Sequence, residues 1–394
     1  MHVKKWNGAM LDVISNADIA TFGAHGALHG NQLIEEAGVR VDSRMRRGRG
    51  TAINPSGRYE PEQRAVFHDG WEIEEELPVL KTTVQIERAR TIITRNQSPD
   101  IPFDRSINPY RGCEHGCVYC FARPTHAYMG MSPGLDFETK LYVKPDAVEL
   151  LERELSKPGY VPNTIAIGTN TDPYQPVEKT WMLMRGILEV LDRYNHPVAI
   201  VTKSALVMRD MDILSRMADR GLAKVAISLT TMDKTLARAM EPRAASPSRR
   251  LEAMRALNEA GIPCNVMTAP IIPGLNDHEL ERLLDSASAA GAKEAGYVML
   301  RLPLEVAPVF KEWLLRHYPD RFRHVMTLIR SMRDGKDYDA EWGKRMRGDG
   351  PYAWQIGRRF EIKAKQLGLN VSRRQLRSDL FVPPHSAPKQ MCLF

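Results

Sequence analysis

Three of the chain's five cysteines lie within eight positions, in the stretch INPYRGCEHGCVYCFARPTH at 107–126. Cys113, Cys117 and Cys120 have the spacing C-x3-C-x2-C, and thiolates this close together favour zinc, Cu(I) or an iron–sulfur cluster. A structural zinc site normally has four protein ligands, often arranged as two short-spaced pairs, and this chain has no second pair. His115 is a candidate fourth ligand, but a tetrahedral site is hard to close when that ligand lies between two of the cysteines in a short loop.

The number of cysteines favours a cluster that reacts. A four-iron cluster held by three cysteines leaves one iron open to a substrate or cofactor, whereas a cluster that only transfers electrons normally has four cysteine ligands. The spacing therefore predicts a reactive 4Fe–4S cluster. Cys264 and Cys392 are isolated in the sequence. Cys264 lies near the start of a predicted strand, where we expect a buried apolar residue.

Six short apolar runs alternate with amphipathic helical segments from about residue 106 onward. Apolar residues recur at intervals of three and four in the helical segments, and several of these segments end in Gly. Such alternation predicts a parallel sheet with right-handed crossovers. Six units are too few for a closed eight-stranded barrel, so the fold class is α/β, as either a partial open (β/α)6 barrel or a doubly wound sheet. The predicted strands are Ser106–Tyr110, Thr164–Gly168, Val198–Thr202, Lys224–Leu229, Pro263–Ala269 and Glu294–Leu300.

Polar segments follow these strands, at the end of a parallel sheet where active sites form. The cysteine loop follows the first strand and GTNTDPYQPVE follows the second. TKS at 202–204 ends the third strand, and SLTT at 228–231 ends the fourth. We therefore expect polar side chains from separate segments to meet at one rim.

The flanks differ from the central alternation, and we divide the chain into four parts. Residues 1–100 are predicted as an irregular extension, with five arginines within 40–49; residues 101–315 form the partial barrel, 316–380 a helical basic region and 381–394 an extended tail. The net charge is +7, and 341–380 contain ten Lys and Arg against four Asp and Glu. A basic surface of this kind favours a polyanionic partner such as DNA or RNA, or serves as a solvated face.

Composition excludes several protein classes. The 394 residues have the apolar and charged fractions of an ordinary globular protein, and no apolar run approaches the length of a membrane span. The first residues do not have the pattern of a signal peptide. An odd number of cysteines, three of them clustered, argues against a secreted disulfide framework. We therefore expect a cytoplasmic protein with no membrane partner.

The cysteine motif resembles that of radical S-adenosylmethionine (SAM) enzymes, in which an aromatic residue, here Tyr119, precedes the last cysteine. The resemblance covers about 104–310. Within that superfamily the chain is similar to the branch related to spore photoproduct lyase, through NPYRGCEHGCVYCFAR, a Thr-Asp pair after the second strand and TKS after the third. The arginine-rich RGRGTAINPSGRYE resembles an uncharacterised bacterial subgroup of that branch.

The resemblance implies a reaction and its cofactors. Cys113, Cys117 and Cys120 would hold a 4Fe–4S cluster, and the open iron would bind the amino and carboxylate groups of SAM. One electron, from a donor such as flavodoxin or ferredoxin, would cleave SAM to methionine and a 5′-deoxyadenosyl radical, which takes a hydrogen atom from the substrate. The protein would orient the cofactor and exclude water.

The resemblance also implies which residues contact SAM. Tyr119 would pack near the adenine. Lys203 and Ser228 would hold the carboxylate, since a cation and a hydroxyl suit that group. Thr169 and Asp172 lie where the family holds the amino group, which needs acceptors.

One feature departs from the family. Spore photoproduct lyase has a cysteine on the second strand that returns hydrogen to the product radical, but the matching stretch here reads AIGTNTD. Reversal of a lesion by the same relay is therefore not expected. Tyr174 and Tyr297 are weak candidates for the hydrogen donor.

The last residues, QMCLF, resemble the Q-x-x-L-F peptide by which bacterial replication and repair proteins bind the DNA sliding clamp. Gln390, Leu393 and Phe394 would be the anchors, on a tail that upstream prolines hold away from the body. With the basic region, this tail favours a nucleic-acid substrate, in DNA repair or modification. The alternatives are a radical SAM enzyme that modifies a protein or small molecule, and a non-catalytic iron–sulfur protein that binds nucleic acid.

Three aromatic residues of the basic region are candidates for stacking on bases: Tyr352, Trp354 and Phe360. For Trp354 and Phe360 the favoured interpretation is the core face of an amphipathic helix.

Overall fold

A seven-stranded sheet is the frame of the molecule. The structure is a computed structural model, and it describes residues 32–39, 41, 48–60, 80–372 and 374–384. Its strands are β1 Thr83–Ile86, β2 Ile93–Arg95, β3 Arg105–Ile107, β4 Tyr110–Arg111, β5 Lys140–Val143, β6 Ile165–Ile167, β7 Val198–Thr202, β8 Ala223–Ser228, β9 Cys264–Ile271 and β10 Ala295–Met299. The large sheet has the order β10-β9-β8-β7-β6-β3-β2, parallel except for β2, which pairs antiparallel with β3.

Helices connect the parallel strands. In chain order they are α1 (32–37), α2 Leu135–Thr139, α3 Ala147–Leu155, α4 Glu178–Trp181, α5 Leu183–Arg193, α6 Met211–Asp219, α7 Lys234–Met240, α8 Pro247–Glu259, α9 Leu280–Ala289, α10 Val306–His317, α11 Phe322–Ser331, α12 Lys344–Arg347 and α13 Gly350–Gln366. Asp233 caps α7 and Ser246 caps α8, each by accepting a hydrogen bond from a backbone N–H of the first turn. None of the helices in the described ranges has the length and hydropathy of a membrane span.

The two faces of the sheet have different environments. Along β7, β8 and β9, buried and half-buried residues alternate. The buried set, which includes Ile200, Ile227 and Val266, packs into one core with apolar residues of α3, α5, α6, α8, α9 and α13. The other set includes Ala199, Ala226 and Met267 and is half-buried. Because the crossover helices cover one face and strand order from β3 to β10 follows the chain, the sheet is a partial open barrel.

The barrel is open between β2 and β10, and a polar bridge crosses this gap. Asp100, after β2, accepts hydrogen bonds from the Gly343 N–H (2.8 Å) and from Arg345 of α12. Arg345 also contacts Ser98. The basic helix α12 is therefore fixed at the edge of the gap.

A second, three-stranded sheet supports the cysteine loop. Its order is β1-β5-β4, with β5 parallel to β1 and antiparallel to β4. Because β4 directly precedes the cysteines, this sheet sets the direction in which the loop begins.

The chain returns beneath the barrel after α13, in what we call the floor segment (residues 370–382). The Asn370 side-chain amide pairs with the N–H (2.9 Å) and carbonyl (3.0 Å) of Ala295, at the start of β10. The Arg377 N–H then donates to the Gly221 carbonyl before β8, and the Val382 N–H donates to the Tyr194 carbonyl before β7. The floor segment thus crosses the amino ends of the strands.

The structure differs from the sequence predictions at the N-terminal flank. The N-terminal stretch predicted as irregular contains β1 and β2, and β2 is part of the main sheet. At the start of the predicted tail, Phe381 packs against Tyr160 and His196, whereas the expectation that prolines hold QMCLF away from the body stays a prediction. Most of the arginine-rich 40–47 and all of QMCLF lie outside the described residues.

Candidate functional site

The cysteine loop is folded tightly at the carboxyl end of the barrel. Cys113 and Cys117 are buried and Cys120 is half-buried. Gly112 (φ +74°) and Gly116 (φ +67°) turn the chain within this short loop, in a conformation that side-chain-bearing residues rarely adopt. Burial raises the pKa of all three thiols. Thiolates at this depth therefore need a positive partner, which iron would supply.

The arrangement of the thiols bears on which metal would fit. Among the described residues, no group of three or more His, Cys, Asp or Glu side chains is arranged to hold a single metal ion. A four-iron cluster has no such requirement, since each cysteine binds a different iron. Three cysteine thiolates are the donor set of a cluster whose fourth iron binds another ligand.

Gln175, in the segment after β6, fixes the start of the cysteine loop. Its side-chain carbonyl accepts a hydrogen bond from the Glu114 N–H (2.9 Å), and its amide donates to the Gly112 carbonyl (3.1 Å). The side chain is completely buried, so this pair of bonds is well protected from water.

Asp172 joins three rim segments. One carboxylate oxygen accepts hydrogen bonds from the Thr202 hydroxyl (2.7 Å) and the Tyr174 N–H (2.9 Å). The other accepts from the Lys203 N–H (2.7 Å) and lies 3.4 Å from Nδ1 of His115. Burial alone would raise the pKa of Asp172, but His115 and the donated hydrogen bonds lower it to about 2. With four partners, this carboxylate has little remaining capacity to accept from a SAM amine, so contact with that amine stays a prediction.

A buried ion pair lies beneath the cysteine loop. Arg123 and Glu138 are 2.6 Å apart and completely buried. Arg123 also donates to the Cys117 carbonyl (3.0 Å). Its guanidinium therefore connects the loop's backbone to α2.

Residues 48–55, which we call the strap, lie across the same region. The Gly50 N–H (2.9 Å) and Thr51 N–H (3.2 Å) donate to the Glu138 carboxylate. A Cβ added to Gly50 would lie 1.7 Å from the Gly116 carbonyl oxygen. Only glycine therefore allows the strap to approach the cysteine loop this closely.

Tyr119 belongs to a second buried network. Its hydroxyl donates to Glu241, which also accepts from Arg250 and from the Thr230 hydroxyl (2.9 Å). The Lys203 ammonium lies 5.8 Å from the centre of the Tyr119 ring. The structure thus brings together two of the residues that the resemblance assigns to SAM, and the hydrogen bond to Glu241 fixes the tilt of the ring.

Ser228 and Thr169 occupy the predicted positions at strand ends. Ser228 ends β8 on the half-buried face, and its hydroxyl donates to the Ala269 carbonyl (3.3 Å). Thr169 follows Gly168, whose φ of +89° and close approach to the Val201 carbonyl turn the chain away from β6. Their contacts with SAM stay predictions.

The two tyrosines proposed as hydrogen donors lie on the helix side of the sheet. Tyr174 is buried, and its hydroxyl donates to Asp210 (3.1 Å). Tyr297 packs against Phe360 of α13, with ring centres 4.7 Å apart. The structure brings neither to the half-buried face. Cys264 is buried in the helix-side core, which confirms that expectation.

The stacking candidates of the basic region separate into two groups. Phe360 is buried as predicted, and the Tyr352 hydroxyl donates to Asp277. The favoured interpretation of Trp354 as a core residue is wrong, because its side chain is 69% exposed. In the sequence of α13 it lies between the buried residues Ala353 and Ile356, but it is rotated by about 100° from Ala353, away from the buried face.

Comparison with known proteins decides the family. A family model for the radical SAM superfamily matches residues 107–287. An uncharacterised protein of Mycobacterium tuberculosis is 39% identical over 232 residues, which cover 58% of this chain and 68% of that protein. This chain belongs to the radical SAM superfamily. A further uncharacterised relative, from Methanocaldococcus jannaschii, is 28% identical over 219 residues, 56% of this chain and 78% of that protein.

Solved structures support the same fold. Spore photoproduct lyase complexed with dinucleoside spore photoproduct has a TM-score of 0.53 and 17% identity, over 73% of this chain and 80% of that one. A double mutant of that lyase with bound AdoMet and dinucleoside spore photoproduct gives the same values. At this identity the structures show the fold alone. The family match makes the protein an enzyme of the radical SAM class, whose members use a 4Fe–4S cluster and SAM.

Sequence reasoning missed the residues that support the cysteine loop. Gln175, Glu138, Arg123 and Gly50 are distant in sequence from the partners that give them their roles. Glu138 lies in the helix sequence LDFET, which also contains Asp136, so its burial could not be inferred from the sequence. The other three residues carry no sequence signal of their contacts either.

Proposed function

We propose that this radical SAM enzyme acts on nucleic acid. The observation that carries the proposal is the position of the basic region. α12 contributes Lys344, Arg345 and Arg347 at the edge of the gap between β2 and β10. There Arg345 is paired with Asp100 and Lys344 with Glu341. Arg301, at the carboxyl end of β10, contacts the Met346 sulfur (3.3 Å), so these cations adjoin the rim. Cations beside the opening of a site favour a phosphodiester substrate.

The cofactor site in this proposal is built from the cysteine loop and the rim. Cys113, Cys117 and Cys120 hold the cluster, and Lys203 and Ser228 hold the SAM carboxylate. Tyr119 packs near the adenine, with Thr169 and Asp172 toward the amino group. When bound, the cofactors supply the one-electron cleavage of SAM to a 5′-deoxyadenosyl radical. The protein's own part is to fix the loop through Gln175 and Glu138 and to keep that region buried.

The half-buried face of the sheet offers room for a substrate. Its residues at the middle of the strands include Ala166, Ala199, Ala226 and Gly296, all small. The lower end is filled by polar contacts, in which Glu294 accepts from the Asn265 amide (3.1 Å). A substrate group would therefore enter from the rim and stop above this polar layer.

The direct test is anaerobic reconstitution with iron and sulfide, followed by SAM and dithionite. We expect a brown protein that forms 5′-deoxyadenosine, and a variant with all three cluster cysteines changed to alanine that forms none. If that variant forms as much, the cofactor proposal fails. Transfer of deuterium from labelled DNA or RNA into 5′-deoxyadenosine then tests the substrate, with labelled protein extract as the competing source.

Binding gives a second test of the substrate. A nucleic-acid substrate predicts an affinity for DNA or RNA that falls linearly with salt on logarithmic axes, because bound cations displace counterions. Replacing Lys344 and Arg347 with Gln should make that slope shallower. Turnover of a protein or small molecule with no measurable affinity for nucleic acid would contradict the proposal.

We also propose that QMCLF binds the DNA sliding clamp. Support comes from the position of the last described residues. Val382 is fixed beside Tyr194, at the amino ends of the strands, which is the opposite end from the cysteine loop. Clamp binding through Gln390, Leu393 and Phe394 would then leave the rim open to substrate. A synthetic peptide of residues 385–394 should bind the clamp, and the variant with Leu393 and Phe394 changed to Ala should not.

A further inference from the structure

Exposed aromatic and apolar side chains are concentrated beside the cysteine loop. They come from three segments: one follows the strap, one follows Cys120, and one joins β10 to α10. We call this surface the rim patch. Its residues are Arg58, Tyr59, Phe121, Tyr128, Arg301 and Leu304. Large apolar side chains that cluster at a surface usually mark a place where a partner binds.

Two tyrosines form the outer half of the rim patch. The Tyr59 and Tyr128 rings stack with centres 5.3 Å apart and planes inclined by 27°, and the side chains are 56% and 66% exposed. The Arg58 guanidinium carbon lies 5.4 and 5.5 Å from the two ring centres. An ion pair with Glu305 (2.6 Å) holds that guanidinium in place. The result is a wide aromatic surface with a cation attached.

Phe121 and Arg301 form the inner half. Phe121 directly follows the cluster cysteine Cys120 and is 45% exposed, and the Arg301 guanidinium carbon lies 5.0 Å from its ring centre. The Arg301 side chain is half-buried, so its position over the ring is fixed by its surroundings. A cation over an aromatic ring is suited to a ligand that offers both a π-face and an anionic group.

The rim patch is held in position by the backbone beneath it. A Cβ added to Gly57 would lie 2.7 Å from the Met131 carbonyl oxygen, so the segment that carries Arg58 and Tyr59 packs tightly on the segment that carries Tyr128. Aromatic surfaces that are fixed before binding lose little conformational freedom when a ligand stacks on them. Exposure of these rings is thus built into the fold.

We propose that the rim patch is a stacking platform for unpaired bases of a nucleic-acid strand, and that it delivers a nucleotide to the adjacent site. This inference rests on the proposed nucleic-acid function and adds where, and in what form, the substrate is held. Every base has a π-face and every nucleotide an anionic phosphate, which together match rings interleaved with guanidinium groups. The adjoining cations of α12 and the net charge of +7 favour this partner over an acidic protein surface with no rings to stack.

The test separates stacking from other kinds of contact. The protein with Tyr59 and Tyr128 both changed to Leu keeps a large apolar surface but loses its rings. Its affinity for a single-stranded 12-nucleotide DNA should be roughly tenfold lower than that of the wild type. Its affinity for an abasic strand of the same length should stay within about twofold of the wild-type value. Arg301→Ala should weaken binding of both strands. The same series with RNA identifies the preferred sugar.

Trp354→Leu is the matched control, since Trp354 is equally exposed but lies on α13. We expect no change in strand affinity for this variant. If Trp354→Leu weakens binding and the tyrosine variant does not, stacking occurs on α13 and the inference is overturned, while the nucleic-acid proposal stands. The inference is also overturned if the tyrosine variant loses the same affinity for the abasic strand as for the strand that carries bases. If the wild-type protein binds neither strand, the proposed function fails as well. Thermal unfolding of each variant shows that it is folded.

Discussion

The two ends of the barrel are held together by different forces. At the carboxyl end, buried charged and polar side chains position the cysteine loop: the Arg123–Glu138 pair, Asp172 and Gln175. At the amino end, the floor segment is held by backbone hydrogen bonds, the Asn370 amide and the Phe381 ring. Buried charges fix geometry at a high cost in desolvation. This difference shows that the contacts which fix the position of the cysteine loop are concentrated at the rim. The floor segment covers the amino ends of the strands and adds stability.

The strongest test of this difference is Glu138→Gln. The change leaves Arg123 buried without a countercharge, and removes one carboxylate acceptor from Gly50 and Thr51. We expect the free energy of unfolding in urea to fall by about 3–5 kcal/mol, and bound iron per chain to fall with it. Glu252→Gln, which removes an exposed pair with Arg249, should cost less than about 1 kcal/mol. Full iron content in Glu138→Gln would contradict the positioning role.

At the floor, Phe381→Ala should lower stability without affecting the cofactor site. The ring packs against Tyr160 and His196 and is only half-buried, so we expect a loss of about 2 kcal/mol, below the range for fully buried rings. Iron content should equal that of the wild type. Val371→Ala, at a side chain that is 84% exposed, is the control and should change neither quantity. Loss of iron in Phe381→Ala would mean that the two ends are coupled.

Gly50→Ala tests the strap by steric means alone. Its new Cβ would overlap the Gly116 carbonyl, which should displace the strap at a cost of about 1–3 kcal/mol and let air bleach the reconstituted cluster faster. Gly130→Ala provides the comparison. That position has a φ of +65° but no atom within 4 Å of an added Cβ, so it should lose about 1 kcal/mol and keep the wild-type bleaching rate. Equal rates in the two variants would remove the shielding role of the strap.

The last prediction concerns a pH dependence of stability at the floor. Burial lowers the pKa of His196 from 6.5 to about 4. Between these values the unfolded chain binds a proton that the folded chain does not, so stability falls as the pH falls from about 6.5 to about 4. The slope from this one site is at most about 1.4 kcal/mol per pH unit. His196→Gln keeps a polar group near the Nε2 position that contacts Tyr160. It should make the slope shallower in urea titrations from pH 4.5 to 7.5, while His126 and His317, whose pKa values are lowered in the same way, still contribute. His278→Gln, at an exposed position, should leave the slope unchanged.

The central fold could be predicted because its signal is local. Five of the six predicted strands match β6 to β10 within two residues, since apolar alternation is set by which face each strand buries. The first predicted strand is divided, with Tyr110 in the small sheet. Neither β1 nor β2 could be predicted, because β1 is exposed along its length and β2 is half-buried at one residue and exposed at the other two. Pairing with β5 and β3, and not periodicity, makes them strands.

The candidate site was only partly predictable for a related reason. Residue types and spacing predict the cysteine loop, and strand ends predict the positions of Lys203 and Ser228. Whether a polar side chain bonds to other protein groups or remains available to a cofactor depends on contacts between segments that are distant in sequence. Asp172 was assigned to a cofactor, yet its four partners are protein groups from three segments. Tyr174 was assigned to chemistry, yet it bonds to Asp210 among the helices.

The floor segment has a consequence for biosynthesis. It is C-terminal to every strand that it crosses, so it leaves the ribosome after the whole sheet has emerged. Until then, Tyr194, Gly221 and Ala295, at the amino ends of β7, β8 and β10, lack the hydrogen-bond partners that the floor segment supplies. Chains truncated before residue 370 should therefore resist protease less well than the full chain. The amino end of the barrel is thus covered only after this segment has been translated.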